Sequence, residues 1–213
     1  MIKSDTQPTE NVLAKRRIFS GSLFLIAIAQ LYFITSIAEG IYPGYSIRTN
    51  FISDLGVKPE SATLWSSSMF LAGILVIAGS MLLFSEQKKT VEYYTWISFF
   101  LTGVGLAGVA MFNENTFHTF HLFFALIAFA CGGISALLYS ITAKGAFRYI
   151  SLILGGITLA GIILLIVAFF IPAIDQIVIA IGEGFVERSV AIPMGIWFAA
   201  FGAYIIGSND TCG

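Results

Sequence analysis

The sequence predicts an all-α integral membrane protein, a bundle of six helices with a short interfacial helix between spans one and two. Three observations carry this prediction. Of the 213 residues, 57% are hydrophobic and only 11% are charged, where soluble domains carry about 25% charged residues. Mean hydropathy is +0.89. Six separate runs each approach the roughly 20 apolar residues, at about 1.5 Å rise, that cross about 30 Å of hydrocarbon.

The elements follow in order. Residues 1–17 are polar and are expected to be a frayed cytoplasmic tail. The first run, 18–38, follows the basic triplet Lys15-Arg16-Arg17. That triplet, with Ser36-Ile37-Ala38 before Glu39, has the look of a signal peptide. The apolar run exceeds the usual length of about 7–15 residues, which favours a retained span. The remaining runs are 64–84, 93–112, 118–140, 149–171 and 185–207, and 208–213 forms a short closing tail. Residues 18–207 therefore read as one membrane domain. Short polar breaks at 85–92, 113–117, 141–148 and 172–184 separate the runs. The exception is 39–63, which has 25 residues. Loops beyond about 12–15 residues are usually functional or disordered, and the aromatic and apolar content here argues against disorder.

Basic residues orient the bundle. With the N-terminus inside, the inner segments hold Lys3, Lys15, Arg16, Arg17, Lys88, Lys89, Lys144 and Arg148, and the outer ones hold Arg48, Lys58 and Arg188. The asymmetry places both termini in the cytoplasm of a cell-membrane protein. Trp65 and Trp96 suit interfacial belts. Gly132 with Ala136, Gly156 with Ala160, and Gly103, Gly105 and Gly108 allow close helix approach. A net charge of −1 gives no basic field for nucleic acid. Cys131 and Cys212 make no CxxC and no disulfide framework, which excludes a thiolate zinc site.

Polar side chains are unevenly placed. Gln30 is the clearest deep one, an interhelical hydrogen-bond partner worth about 0.6–2 kcal/mol. The ionisable groups gather at the end of the bundle that carries the long connector: Glu39, Arg48, Asp54, Glu114, His118, His121, Asp175, Glu183, Glu187 and Arg188. Ionisable residues at membrane depth are functional-site hypotheses by default. His118 and His121, three apart, fall on one side of a helix. They suit hydrogen bonding, proton transfer, or ligation of a divalent metal. Metal sites take three or four ligands, so two histidines need carboxylates to complete a set. Glu183 and Glu187 stand at i,i+4, where like charges repel. Arg188 points away from both, toward a carboxylate on another segment. Pro193 with Gly195 is expected to kink the last span.

The connector carries its own pattern. Tyr42-Pro43-Gly44-Tyr45 reads as a turn. Ser46 suits an N-cap and Gly56 a C′ position. Ile47, Phe51, Ile52 and Leu55 fall on one arc, and Ser46, Thr49, Asn50, Ser53 and Asp54 on the other. The spacing predicts an interfacial helix over 47–55. Arg48 sits inside the apolar arc. It snorkels to water, meets Glu39, Glu114 or Glu187, or binds a lipid phosphate through its bidentate fork.

Tyr45-Ser46, Asn50-Phe51-Ile52-Ser53-Asp54-Leu55-Gly56, the histidines opening span four and Gly184-Phe185-Val186-Glu187-Arg188 together resemble the domain-of-unknown-function 998 (DUF998) family of polytopic prokaryotic membrane proteins. The resemblance covers most of the chain after the tail. It implies six spans and no established activity. A weaker similarity is to metal-dependent membrane hydrolases of the alkaline ceramidase and progestin-receptor type. Those have seven spans and a zinc site of histidines, an aspartate and a serine; here only two histidines and six spans exist.

Three functions compete. An enzyme acting on lipid at the outer face would use His118, His121, Asp54 and Glu187 as catalytic groups. Arg48 and Arg188 would hold an anionic head group, and His118 and His121 a divalent metal. No G-x-S-x-G or H-E-x-x-H motif fixes a reaction. A non-catalytic component would bind membrane lipid or a protein partner through the outer cap. A transporter would place its ionisable groups near the midplane, where this chain has few. Oligomeric state is left open.

Overall fold

A computed structural model of the chain describes residues 7–84 and 89–208. Lys3, Lys88, Cys212 and most of the closing tail lie outside the described residues. Every described element is helical: α1 (Gln7–Ile41), α2 (Pro59–Leu83), α3 (Thr90–Met111), α4 (His118–Thr142), α5 (Ala146–Phe170), α6 (Pro172–Ile181) and α7 (Glu183–Gly207). Six of these, all but α6, are long and apolar enough to cross a membrane. The chain is a multi-pass membrane protein.

The helix boundaries have local causes. Pro59 opens α2 at its first position, where a missing N–H is no loss. Glu92 reaches back to the Lys89 N–H at 3.0 Å, one half of a capping box for α3. Residues 7–17 continue α1 as helix instead of fraying. The segment 172–184, expected to be a polar break, contains α6, with Pro172 at its start and Asp175 in its first turn.

Neighbouring spans pack around a ring in which α1 touches α2 and α7, and α5 touches α4 and α7. The first and last spans are therefore neighbours. Lipid-facing positions carry large apolar side chains, among them Phe33 (68% exposed) and Phe169 (74% exposed). The ring is filled away from the connector. There Phe24, Phe99, Trp197, Phe198 and Phe201 form one buried aromatic cluster, with Phe99 and Phe201 centroids 4.8 Å apart. Gln30 bridges α1 and α2 as expected: its Nε2 donates to Ser68 O at 3.0 Å and its Oε1 accepts from Ser68 Oγ at 2.7 Å.

The connector departs from the helix expected over 47–55. It folds as a series of turns ending in a single 3-10 turn at Ser53–Gly56. The cause is competition for its backbone groups. Arg188 Nη1 donates to Ile47 O at 3.1 Å and to Asn50 O at 3.2 Å. The Gly184 N–H donates to Arg48 O at 3.0 Å. Asp54 Oδ2 accepts the Phe51 N–H at 3.1 Å. Groups that a helix would pair internally are bonded to α7 and to Asp54 instead, and tertiary contact overrides the local pattern.

This close approach needs glycine at two places. Gly182, between α6 and α7, has φ +117°, a left-handed value that other residues rarely adopt. Gly184 lies against the carbonyls of Ile47 and Asn50, where a Cβ would collide with backbone.

Candidate functional site

Beneath the connector the ring is hollow. A cavity of about 620 Å³ runs between α1, α2, α3, α4 and α7. Leu31, Met69, Leu106, Ala128 and Met194 are among its apolar walls, and Glu39, Ser53, His121, Glu187 and Arg188 bring charge and hydrogen-bonding groups to one end. These polar residues come from α1, the connector, α4 and the first turns of α7.

Arg188 organises that end. It is buried, and both terminal nitrogens are fully engaged. Nη1 serves the carbonyls of Ile47, Asn50 and Gly184, and Nη2 donates to Glu39 Oε1 at 2.7 Å and to the Tyr45 hydroxyl at 2.6 Å. Tyr45 passes the chain on, donating to Phe51 O at 3.1 Å. Burial pushes the Tyr45 phenol up to about 12, so it remains a donor at neutral pH. The carboxylate sought for Arg188 on another segment is Glu39. The anion-binding role read for Arg188 meets a guanidinium whose terminal donors already serve the protein.

Arg48 takes a different partner from those expected. Its Nη2 donates to Ala180 O at 2.9 Å, in the last turn of α6. A cation there complements the negative end of a helix. The side chain is exposed and reaches neither Glu39, Glu114 nor Glu187.

The four candidate catalytic residues divide into three situations. His121 is buried, and its Nδ1 lies 2.9 Å from Phe112 O. A carbonyl only accepts, so Nδ1 carries hydrogen and Nε2 is the free nitrogen of the neutral ring. Nε2 stands 3.9 Å from Glu114 Oε2, and the same Oε2 accepts from Ser53 Oγ at 2.7 Å. Glu187 is buried on α7 and accepts the Ile52 N–H through Oε2, and its other oxygen has no donor among the described residues. Asp54 turns back onto the connector, taking Asn50 Nδ2 at 2.9 Å and the Phe51 N–H at 3.1 Å. His118 is exposed at the start of α4 and is not among the cavity residues. Among the described residues no three His, Cys, Asp or Glu side chains gather into a metal-holding group.

Sequence reasoning missed two contributors. Asn113 Nδ2 donates to Gly56 O and pins the end of the 3-10 turn to the α3–α4 break. Trp65 is buried in the cavity wall, and its indole N–H has no acceptor among the described residues. Trp65 was legible only as an interfacial aromatic, because the cavity beside it is a product of long-range packing.

Fold and site together define a polytopic helical membrane protein with a polar cap over an apolar intramembrane cavity. The description "Protein of unknown function (DUF998)" belongs to the family profile that matches residues 25–204. The chain is a member of that family. No curated protein and no solved structure matches it.

Proposed function

We propose that the protein binds a membrane lipid, with the apolar part in the cavity and the polar part under the connector. The observation that carries this reading is the cavity itself. Its volume of about 620 Å³ falls in the range of about 300–1,000 Å³ typical of ligand sites, which are mostly apolar with a few placed polar groups. In this reading residues 18–207 form the working membrane domain between cytoplasmic tails, and the cap faces the extracytoplasmic side of the cell membrane. The excess of Lys and Arg on the opposite loops supports that orientation. His121 and Glu187 meet the ligand, Arg188 and Asp54 shape the cap, and Arg48 anchors it to α6.

The test is lipid retention. Protein purified in mild detergent is expected to carry a stoichiometric lipid in native mass spectra, and Ala125→Phe, which adds bulk to the cavity wall, is expected to lose it. Wild-type protein that holds no lipid and is not stabilised by added lipid would refute the reading.

A second reading, lipid processing, is favoured by one contact chain. Ser53, Glu114 and His121 stand in line, with the carboxylate between the hydroxyl and the ring. Glu114 would then take the Ser53 proton as the Ser53 oxygen adds to the ester carbonyl and return it to the departing alcohol, with His121 Nε2 placed to share that proton from the far side. Loss of lipid-ester turnover in Ser53→Ala, with lipid retention unchanged, is the expected signature. Turnover that survives Ser53→Ala and His121→Phe removes this reading and leaves binding intact.

A further inference from the structure

Given a lipid in the cavity, as proposed above, we infer that its head is uncharged and bears a hydroxyl. Fatty alcohols, isoprenoid alcohols and monoacylglycerols share this chemistry. Carboxylates and phosphate esters do not.

The inventory of hydrogen-bonding groups at the polar end carries this inference. Among the described residues Arg188 is the one arginine or lysine that lines the cavity. Its terminal nitrogens already serve Glu39, Tyr45 and three backbone carbonyls. Arg48 points to α6 and is not in the wall. An incoming anion would meet no free cation, and it would lie beside the carboxyl groups of Glu39 and Glu187. Uncompensated charge in an apolar site is unfavourable.

The groups still open to a ligand are of another kind. Glu187 has one oxygen without a donor. Ser53 donates its proton to Glu114, which leaves its own oxygen to accept. The His121 ring turns Nδ1 to Phe112 O and keeps Nε2 without a hydrogen bond. Trp65, 2% exposed and lining the same cavity, has an N–H without an acceptor. These acceptors and the Trp65 N–H, with the hydroxyl of Thr35 also in the wall, match a hydroxyl head, which donates to the carboxyl and accepts in return. A second oxygen, such as the ester carbonyl of a monoacylglycerol, suits the indole N–H.

The test is equilibrium competition on the full-length protein in nanodiscs, read by native mass spectrometry. The probes are oleyl alcohol, geranylgeraniol, 1-monooleoylglycerol, oleate, oleoyl lysophosphatidate and octadecane. At least one of the three hydroxyl probes is expected to bind about tenfold or more tighter than oleate, since a carboxylate would leave water without gaining a free counter-charge. Which of the three binds tightest identifies the source of the head. Glu187→Gln is expected to narrow the gap to oleate. Trp65→Phe, which keeps the ring and removes the N–H, is expected to weaken 1-monooleoylglycerol by about 2- to 12-fold, the loss of one hydrogen bond, and to leave octadecane unchanged. Oleate or lysophosphatidate binding as tightly as the alcohols would overturn the inference. Octadecane matching oleyl alcohol would overturn it too, while leaving lipid binding standing. Failure of all six probes would overturn the inference as well, and lipid binding itself would then stand or fall on the retention assay.

Discussion

Replacing Arg188 by methionine tests the clasp between the last span and the connector. Methionine keeps most of the apolar stem and removes every donor. Four partners outside its own helix lose their hydrogen bonds: Ile47 O, Asn50 O, Glu39 Oε1 and the Tyr45 hydroxyl. The Gly184 carbonyl keeps its place in the helix ladder. Breaking a buried ion pair by removing one partner costs about 3–5 kcal/mol. The Glu39 side chain is 22% exposed and recovers some hydration, so a loss of about 3 kcal/mol is expected from the pair and its hydrogen bonds. Reversible unfolding in mixed micelles reads this directly. A double-mutant cycle with Glu39→Gln separates the pair, with a coupling of about 1–3 kcal/mol expected. Hydrogen exchange should show protection lost first at the amides of Ile52 and Gly184, which bond across the same seam. Arg188→Met within about 0.5 kcal/mol of wild type, or additive behaviour with Glu39→Gln, would refute the clasp.

Further outcomes follow from the same geometry. Gly184→Ala sets a methyl against the Ile47 and Asn50 carbonyls and is expected to destabilise by about 1–3 kcal/mol, as overpacking does, measured by the same unfolding assay. The two histidines should separate: His118→Ala leaves the melting temperature unchanged, whereas His121→Ala removes a buried ring and its bond to Phe112 O and loses about 2–4 kcal/mol. Trp65→Phe removes an N–H that has no acceptor among the described residues and should hold or raise stability of the lipid-free protein. Tyr45 supplies a pH test. Its folded pKa is raised from 10.0 to about 12 by burial, so its contribution to stability is complete below the unfolded value near pH 10 and is lost as pH rises toward 12. Tyr45→Phe should remove that part of the alkaline slope.

The spans were readable because the hydrocarbon thickness sets a length that composition alone reveals. Gln30 was readable too, since a lone amide in an apolar run needs a partner helix. The connector misled for a physical reason. Ile47, Phe51, Ile52 and Leu55 keep helical spacing, yet Leu55 and Ile52 turn inward while Ile47 remains 49% exposed. The donors that decide the matter sit about 140 residues away on α7, beyond any local rule. Helix α6 was within reach: Pro172 at the first position, Asp175 in the first turn and Gly182 past the end are ordinary start and stop signals. Of the candidate site, only the placing of Glu187, Arg188 and His121 at the same end of the bundle was legible. The partner of each residue was not, because depth says nothing about which gap between helices a side chain enters.

The clasp also sets a schedule. The connector leaves the ribosome with the first two spans, but the guanidinium that holds its carbonyls belongs to the last one. At about 5–20 residues per second, the intervening chain takes on the order of ten seconds to make. During that interval the Ile47 and Asn50 carbonyls and the Ile52 N–H are without the partners that the last span supplies. Completion of the cap therefore waits for the last span, and the connector reaches its final hydrogen bonding only as the chain is finished.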